Sequence, residues 1–69
     1  MDIVHVFGKN VRFYREKKGI SQEKLAELSG LHRTYISDIE RFQRSISLSN
    51  VQKIADALEI ETYLLFMEK

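Results

Sequence analysis

Residues 21–41 read SQEKLAELSGLHRTYISDIER, a pattern typical of two short helices joined by a tight turn. Ser21 is placed to cap the first helix, because its side-chain oxygen can accept a hydrogen bond from a free backbone N–H of the first turn. Small Ala26 lets two helices approach closely, and Gly30 supplies the positive φ that the turn requires. The pattern therefore predicts a helix, a turn at residues 29–31 and a second helix.

The second predicted helix starts near His32 or Arg33 and ends at about Arg41. Ile36 and Ile39 recur at helical spacing, which predicts that their side of the helix is buried. The outward face then carries Arg33, Thr34, Ser37, Asp38 and Arg41, with Tyr35 on its flank. An exposed helix bearing hydrogen-bonding groups of mixed sign suits the major groove of DNA. The alternative is an ordinary solvated helix surface, with Tyr35 as a packing aromatic.

The rest of the chain also favours helix, since it contains no Pro, only three Gly and no run of strict alternation. Further helices are predicted at residues 4–17, 47–58 and 62–67. The inner face of the helix after Ser21 is expected to consist of Leu25, Ala26 and Leu28. The apolar positions of the 47–58 helix are Leu48, Val51, Ile54, Ala55 and Leu58. The predicted fold class is all-α, a compact five-helix single domain over residues 1–69.

Length and composition exclude several classes of function. Sixty-nine residues leave little room for both a core and a catalytic cleft that excludes water, so we do not expect an enzyme. The sequence has no Cys, which excludes disulfides and thiolate metal sites. Neither His5 nor His32 is followed by a second ligand three or four residues later, so no metal or cofactor is expected. We also expect no signal peptide or membrane span, and hence a cytoplasmic protein.

The net charge of +1 conceals an uneven distribution of charge. Residues 9–44 contain nine cations and five anions, a local charge of +4, whereas residues 45–69 contain two cations and four anions, a local charge of −2. Such asymmetry suggests that one face of the protein binds a polyanion. Ordinary scatter of surface charge is the alternative.

Several motifs carry a resemblance to a known family. GISQEKLA at 19–26 and ISDIER at 36–41 resemble the Cro and phage-repressor (Xre-type) helix-turn-helix family. LHRTYIS at 31–37, with RSIS at 44–47, is similar to the controller proteins of restriction–modification systems. The resemblance covers residues 7–66. It implies a lambda-repressor-like five-helix domain, a homodimer and a pseudo-palindromic operator in double-stranded DNA, bound in the bacterial cytoplasm on the nucleoid.

The resemblance also implies roles for single residues. By this resemblance Arg33, Thr34 and Ser37 would contact bases, Tyr35 would contact the operator beside them, and Gln22, Arg41 and Arg44 would contact phosphates. We add Asp38 to the predicted base contacts, and His32 and Ser45 to the predicted phosphate contacts, although the family often has a longer polar residue at position 45. Asp38 is unusual beside phosphates. Either it accepts a hydrogen bond from a cytosine amino group, or it orients Arg33 or Arg41.

Two further positions follow from the family pattern. Arg15 is expected to form a partly buried, structural ion pair with Glu40. The family usually has Gly or Asn where this chain has Phe42. We therefore expect either that the turn after the second helix of the motif closes differently or that Phe42 packs elsewhere.

The C-terminal segment suggests self-association, because it is more apolar than one short helix can bury. A two-fold contact is predicted to involve Tyr63, Leu64, Phe66 and Met67. The alternative is that this helix only closes the core of the monomer. RNA polymerase is a second candidate partner, through Glu23 or Glu27, although both are equally explained as solvated acids.

The function that these observations predict is sequence-specific control of transcription, in the manner of a restriction–modification controller. Two alternatives remain. One is a prophage or developmental repressor, or an antitoxin, with the same fold. The other is a helical protein-interaction module that does not bind DNA.

Overall fold

The computed structural model describes residues 1–68, and over that range the chain is helical with no strand. The α-helices are α1 (Ile3–Lys18), α2 (Gln22–Ser29), α3 (Arg33–Glu40) and α4 (Leu48–Leu58), followed by a C-terminal 3-10 helix (Thr62–Phe66). The all-α class is confirmed. Of the five helices expected, four are α-helices and the last is a 3-10 helix.

Local capping fixes the ends of the helix-turn-helix unit. The Ser21 hydroxyl accepts a hydrogen bond from the backbone N–H of Lys24 at 3.0 Å, which begins α2. Gly19 ends α1 with φ 77°, and Gly30 ends α2 with φ 74°. Both glycines occupy the left-handed region, where a Cβ atom would be unfavourable. The boundaries of the motif are therefore set by residues within it.

One hydrophobic core joins all five helices. Its buried members are Phe7, Val11, Leu25, Ala26, Ile36, Ile39, Val51, Ile54, Ala55, Leu58 and Leu65. Ile36 and Ile39 are almost completely inaccessible to solvent. Burial of a side chain of this size contributes about 1.5–3 kcal/mol. These two side chains anchor α3 on the core, so its opposite face points outward.

One leucine departs from its predicted inner face, since Leu28 is 47% exposed. The buried residues of α2 are Leu25, Ala26 and Ser29. At about 100° per residue, Leu28 lies beside that face rather than on it, so its predicted inner position was wrong. Of the apolar positions of α4, Leu48 is the first residue of the helix and is 85% exposed.

The turn after α3 packs directly against α1. Gly8 makes this possible, because a Cβ at residue 8 would lie 2.4 Å from the carbonyl oxygen of Ile39 and 2.8 Å from a ring carbon of Phe42. Phe42 has φ 63°, so the turn retains the left-handed backbone that Gly or Asn adopts readily. Its ring stacks on His5 with centroids 4.1 Å apart. Phe42 thus packs on α1.

A buried amide ties the C-terminal segment to α1. Asn10 is 2% exposed, and its side-chain nitrogen donates to the carbonyl oxygens of Leu65 at 3.0 Å and Met67 at 2.8 Å. Backbone carbonyls beyond a 3-10 helix need such partners when they are buried. Within residues 1–68, none of the helices combines the length and the hydrophobicity of a membrane span.

Candidate nucleic-acid interface

The outward face of α3 is polar and accessible. Arg33 and Thr34 are exposed, and Ser37 is half-buried on the same helix. The buried residues Ile36 and Ile39 hold the opposite side of α3. Arg33 and Thr34 therefore lie on the exposed side of a helical rod. Such a rod has the width that the major groove of B-DNA accepts.

His32 and Ser45 precede and follow α3 in the chain. His32 is the N-cap residue of α3 and is exposed. Ser45 is exposed in the segment that joins α3 to α4. Their predicted contacts with phosphates stay predictions.

Asp38 binds both arginines that follow α3. Its Oδ1 accepts from a terminal nitrogen of Arg41 at 2.6 Å, and its Oδ2 accepts from a terminal nitrogen of Arg44 at 3.1 Å. The carboxylate side chain is 16% exposed, whereas the arginine side chains are 65% and 45% exposed. These two hydrogen bonds lower the pKa of Asp38, so it is ionised at neutral pH. The structure therefore joins Asp38 to Arg41 and Arg44 rather than to Arg33.

Tyr35 is fixed from two sides. The guanidinium carbon of Arg44 lies 4.8 Å from the centre of its ring, a cation–π contact. The side-chain amide of Asn50, on α4, donates to its hydroxyl at 3.1 Å. Tyr35 is half-buried and is thus part of a connected polar surface. Sequence reasoning missed Asn50, because no local pattern indicates a contact between residues 15 positions apart.

A second cluster lies beneath this surface and joins α1, α2 and α3. The Nε of Arg15 donates to Oε2 of Glu40 at 2.7 Å, and a terminal nitrogen donates to Oε1 at 3.0 Å. The Arg15 side chain also donates to the carbonyl oxygen of Ile20 at 2.8 Å. The hydrogen bonds to Glu40 raise the pKa of Arg15. This is a bidentate pair between side chains that are only 12% and 4% exposed.

Gln22 is also part of the Glu40 cluster. Its side-chain nitrogen donates to Oε1 of Glu40 at 3.1 Å. The predicted phosphate contact of Gln22 would therefore use its remaining N–H or its backbone N–H at the start of α2. Helix N-termini favour phosphate because their free backbone N–H groups point outward.

The residues predicted for the two-fold contact differ in accessibility. Tyr63 is 62% exposed and Met67 is 52% exposed. Leu64 and Phe66 are half-buried, and the Phe66 ring lies 5.4 Å from that of Phe7 in the core. Tyr63 and Met67 thus offer free apolar surface, whereas Phe66 mainly closes the core.

The described residues offer little to a metal ion. No group of three His, Cys, Asp or Glu side chains within residues 1–68 is arranged to hold one. The polar surface on α3 instead displays arginine, hydroxyl and phenol groups. These groups donate hydrogen bonds to phosphate oxygens and base edges.

Comparison with known proteins agrees with this geometry. The family model described as "HTH_3: Helix-turn-helix" matches residues 11–65. The control protein C.SmaI of Serratia marcescens is 52% identical over 58 residues, which are 84% of this chain and 69% of C.SmaI. The crystal structure of the restriction-modification controller protein C.AhdI from Aeromonas hydrophila has 51% identity and a TM-score of 0.89. That match covers 91% of this chain and 96% of C.AhdI.

A further solved structure is the restriction-modification controller protein C.Esp1396I, as a tetramer in complex with its natural 35 base-pair operator. It shares 33% identity with this chain and has a TM-score of 0.87. The match covers 96% of this chain and 87% of C.Esp1396I. With its buried α3 anchors, its outward basic face and these relatives, the chain belongs to the helix-turn-helix family and, within it, to the restriction–modification controller proteins.

Proposed function

We propose that this protein is a sequence-specific regulator of transcription that binds double-stranded operator DNA as a homodimer and is not an enzyme. Its regulated genes are those of a restriction–modification operon, including its own gene. Such a regulator acts on the nucleoid in the bacterial cytoplasm. The observation that carries the proposal is the exposed Arg33 and Thr34 on a helix whose opposite side is buried through Ile36 and Ile39.

In this proposal α3 is the recognition helix and lies in the major groove. Arg33 donates two hydrogen bonds to O6 and N7 of a guanine, a contact that discriminates against other bases by about 1–3 kcal/mol. Thr34 and Ser37 bind neighbouring base edges with their hydroxyls. Tyr35 contacts the operator at the edge of the same surface. These groups share one helix, so a single docking orientation brings them all to the bases.

Phosphate contacts position α3 in the groove. Arg41 and Arg44 follow α3 and bind one strand of the backbone, while His32 and Ser45 flank it and Gln22 binds at the start of α2. Each phosphate contact steepens the dependence of log K on log salt by about 0.9. C.Esp1396I, crystallised on its natural operator, supports this placement because its fold matches over almost the whole chain.

Dimerisation is proposed to use the exposed apolar side chains at the C-terminal end. Tyr63 and Met67 offer the most surface there, and Leu64 and Phe66 support them from a half-buried position. An isologous contact places the two recognition helices about 34–36 Å apart, one turn of B-DNA. The operator is then pseudo-palindromic.

A contact with RNA polymerase is proposed for Glu23. Glu23 is exposed in the first turn of α2. Glu27, the other candidate, already forms an exposed ion pair with Lys24 at 3.1 Å. Replacement of Glu23 by Lys should therefore abolish activation and leave operator binding intact. Unchanged activation would reject this role.

The proposed function is tested by a salt titration of DNA binding. Operator fragments are first selected from random duplexes, and affinity is then measured by fluorescence anisotropy at several KCl concentrations. Arg33→Ala should weaken binding to the selected duplex about tenfold or more, whereas Arg12→Ala, which removes an exposed arginine from α1, should change it little. Failure to select any duplex, or only weak binding that depends neither on salt nor on Arg33, would favour the interaction module instead.

A further inference from the structure

The polar surface beside α3 contains one negative charge at a place where phosphates are expected. Asp38 lies in the last turn of α3, and its two carboxylate oxygens accept hydrogen bonds from two different arginines. The three side chains together carry a charge of +1 rather than +2. An acid in this position weakens attraction to the DNA backbone, so its presence calls for a physical explanation.

The geometry indicates how Asp38 acts on the two arginines. Arg41 lies one helical turn after Asp38 and Arg44 lies six residues after it, so the carboxylate bridges the end of α3 and the following turn. Arg44 also packs on the ring of Tyr35, which Asn50 holds from α4. Both guanidinium groups therefore occupy defined positions in the free protein. Each keeps further N–H groups that point away from the carboxylate, since arginine has five donors.

We propose that Asp38 is a specificity-determining positioning residue, which presets Arg41 and Arg44 for the operator backbone and neutralises part of their charge towards all other DNA. The inference rests on the proposed function, because it concerns the same surface. Specific and non-specific complexes depend differently on these two effects.

Non-specific binding derives almost entirely from neutralised phosphates. In a non-specific complex, a carboxylate between two arginines lowers the affinity for DNA, and no base contact compensates for this loss. In the operator complex, base contacts by α3 fix the register, and the preset arginines meet the phosphates without losing further conformational freedom. The cost of the negative charge is then offset. Asp38 thus lowers affinity for random DNA more than affinity for the operator.

The pKa of Asp38 supports this role. The hydrogen bonds from Arg41 and Arg44 lower it, so the carboxylate stays ionised under ordinary assay conditions. Partial neutralisation of Arg41 and Arg44 is therefore present throughout the pH range in which the protein is assayed. No proton uptake is needed for the effect.

The test compares Asp38→Asn with the wild type on two duplexes, one selected from a random library and the same sequence scrambled. Asp38→Asn should bind the scrambled duplex about fivefold tighter or more, with a salt slope steeper by about 0.9 per protomer. Binding to the selected duplex should change by less than about twofold, so the ratio of the two affinities falls. Circular dichroism melting checks that the variant is folded.

Two controls separate this role from plain charge and plain structure. Asp56→Asn makes the same change in net charge on α4 and should leave both affinities close to wild type, because Asp56 is exposed and lies on another element. In a background of Arg41→Ala and Arg44→Ala, the substitution Asp38→Asn should no longer raise affinity for the scrambled duplex, since no arginine remains to be released.

Each outcome decides the matter. An Asp38→Asn variant that binds scrambled DNA no better than wild type overturns the inference, as does a loss of affinity for both duplexes or an equal gain on both. The same gain in the background lacking both arginines also overturns it. These outcomes leave the proposed function intact. A wild-type protein that binds neither duplex removes the proposed function itself.

Discussion

At the scale of single residues, the buried pair Arg15–Glu40 holds the motif in place. Glu40 is the last residue of α3 and accepts hydrogen bonds from α1 and, through Gln22, from α2. The pairing of Arg15 with Glu40 was expected from the family pattern. The hydrogen bond from Gln22 to Glu40 was not expected, because the sequence does not indicate which carboxylate a side-chain amide will bind.

Loss of the Glu40 carboxylate should destabilise the fold. We expect Glu40→Gln to lower the free energy of unfolding by about 3 kcal/mol, because Arg15 is left charged in a site where it is 12% exposed. Chemical denaturation measures this change. The control is Glu27→Gln, which breaks the exposed pair with Lys24 and should cost at most about 1 kcal/mol. Equal losses for the two variants would contradict this account of the cluster.

The Asp38 network predicts a shifted titration. Carboxyl NMR should show a pKa for Asp38 below its ordinary value of 3.8, because Arg41 and Arg44 donate to the ionised form. The ionised carboxylate then stabilises the folded state fully at pH values above its ordinary pKa. This contribution is lost as the pH falls through the lowered pKa of the folded state. Replacing both arginines by Ala should return the pKa of Asp38 towards 3.8. An unchanged pKa would mean that the arginines do not bind it in solution.

At the scale of helices, the helix-turn-helix unit was predictable because its signals are local. Ser21, Gly19 and Gly30 act on neighbouring backbone atoms, and Ile36 and Ile39 repeat at the period of a helix. Elements whose conformation depends on distant residues were less predictable. The segment Thr62–Phe66 forms a 3-10 helix, and Asn10, more than 50 positions earlier, binds the carbonyl oxygens around its end.

The contact between α1 and the end of α3 gives a prediction for Gly8. Within a helix, Gly→Ala ordinarily stabilises by about 1 kcal/mol. Here we expect Gly8→Ala to destabilise by about 1–3 kcal/mol, because the added Cβ would lie 2.4 Å from the carbonyl oxygen of Ile39. Thermal melting of Gly8→Ala beside Lys9→Ala, an exposed neighbour, measures the effect. A Gly8→Ala protein more stable than wild type would show that α1 and α3 are not in close contact.

At the scale of the whole molecule, the polar surface around α3 is proposed to bind DNA, and the exposed side chains of Tyr63 and Met67 are proposed to bind a second copy of the chain. The surface around α3 was predictable from a motif. The accessibility of the C-terminal residues was only partly predictable, because Phe66 packs inward on Phe7. Composition alone does not distinguish an apolar residue that packs in the core of the monomer from one that is exposed for contact with a second copy.

Self-association should depend on the exposed part of the C-terminal segment. We expect Tyr63→Ser to shift the mass measured by light scattering at micromolar concentration from dimer towards monomer, because it removes an aromatic side chain that is 62% exposed. Leu28→Ser removes an exposed apolar residue from α2 and serves as the control. A wild-type protein that stays monomeric at all concentrations would remove the proposed dimer.

The most direct test of the central claim is protection of guanine N7 from methylation by dimethyl sulfate, because N7 lies in the major groove. On the selected operator, the wild-type protein should protect guanines in two half-sites about 10 base pairs apart. The Arg33→Ala variant should no longer protect the guanines that Arg33 contacts. Tight binding without N7 protection, or protection that is unchanged in Arg33→Ala, would contradict the placement of α3 in the major groove.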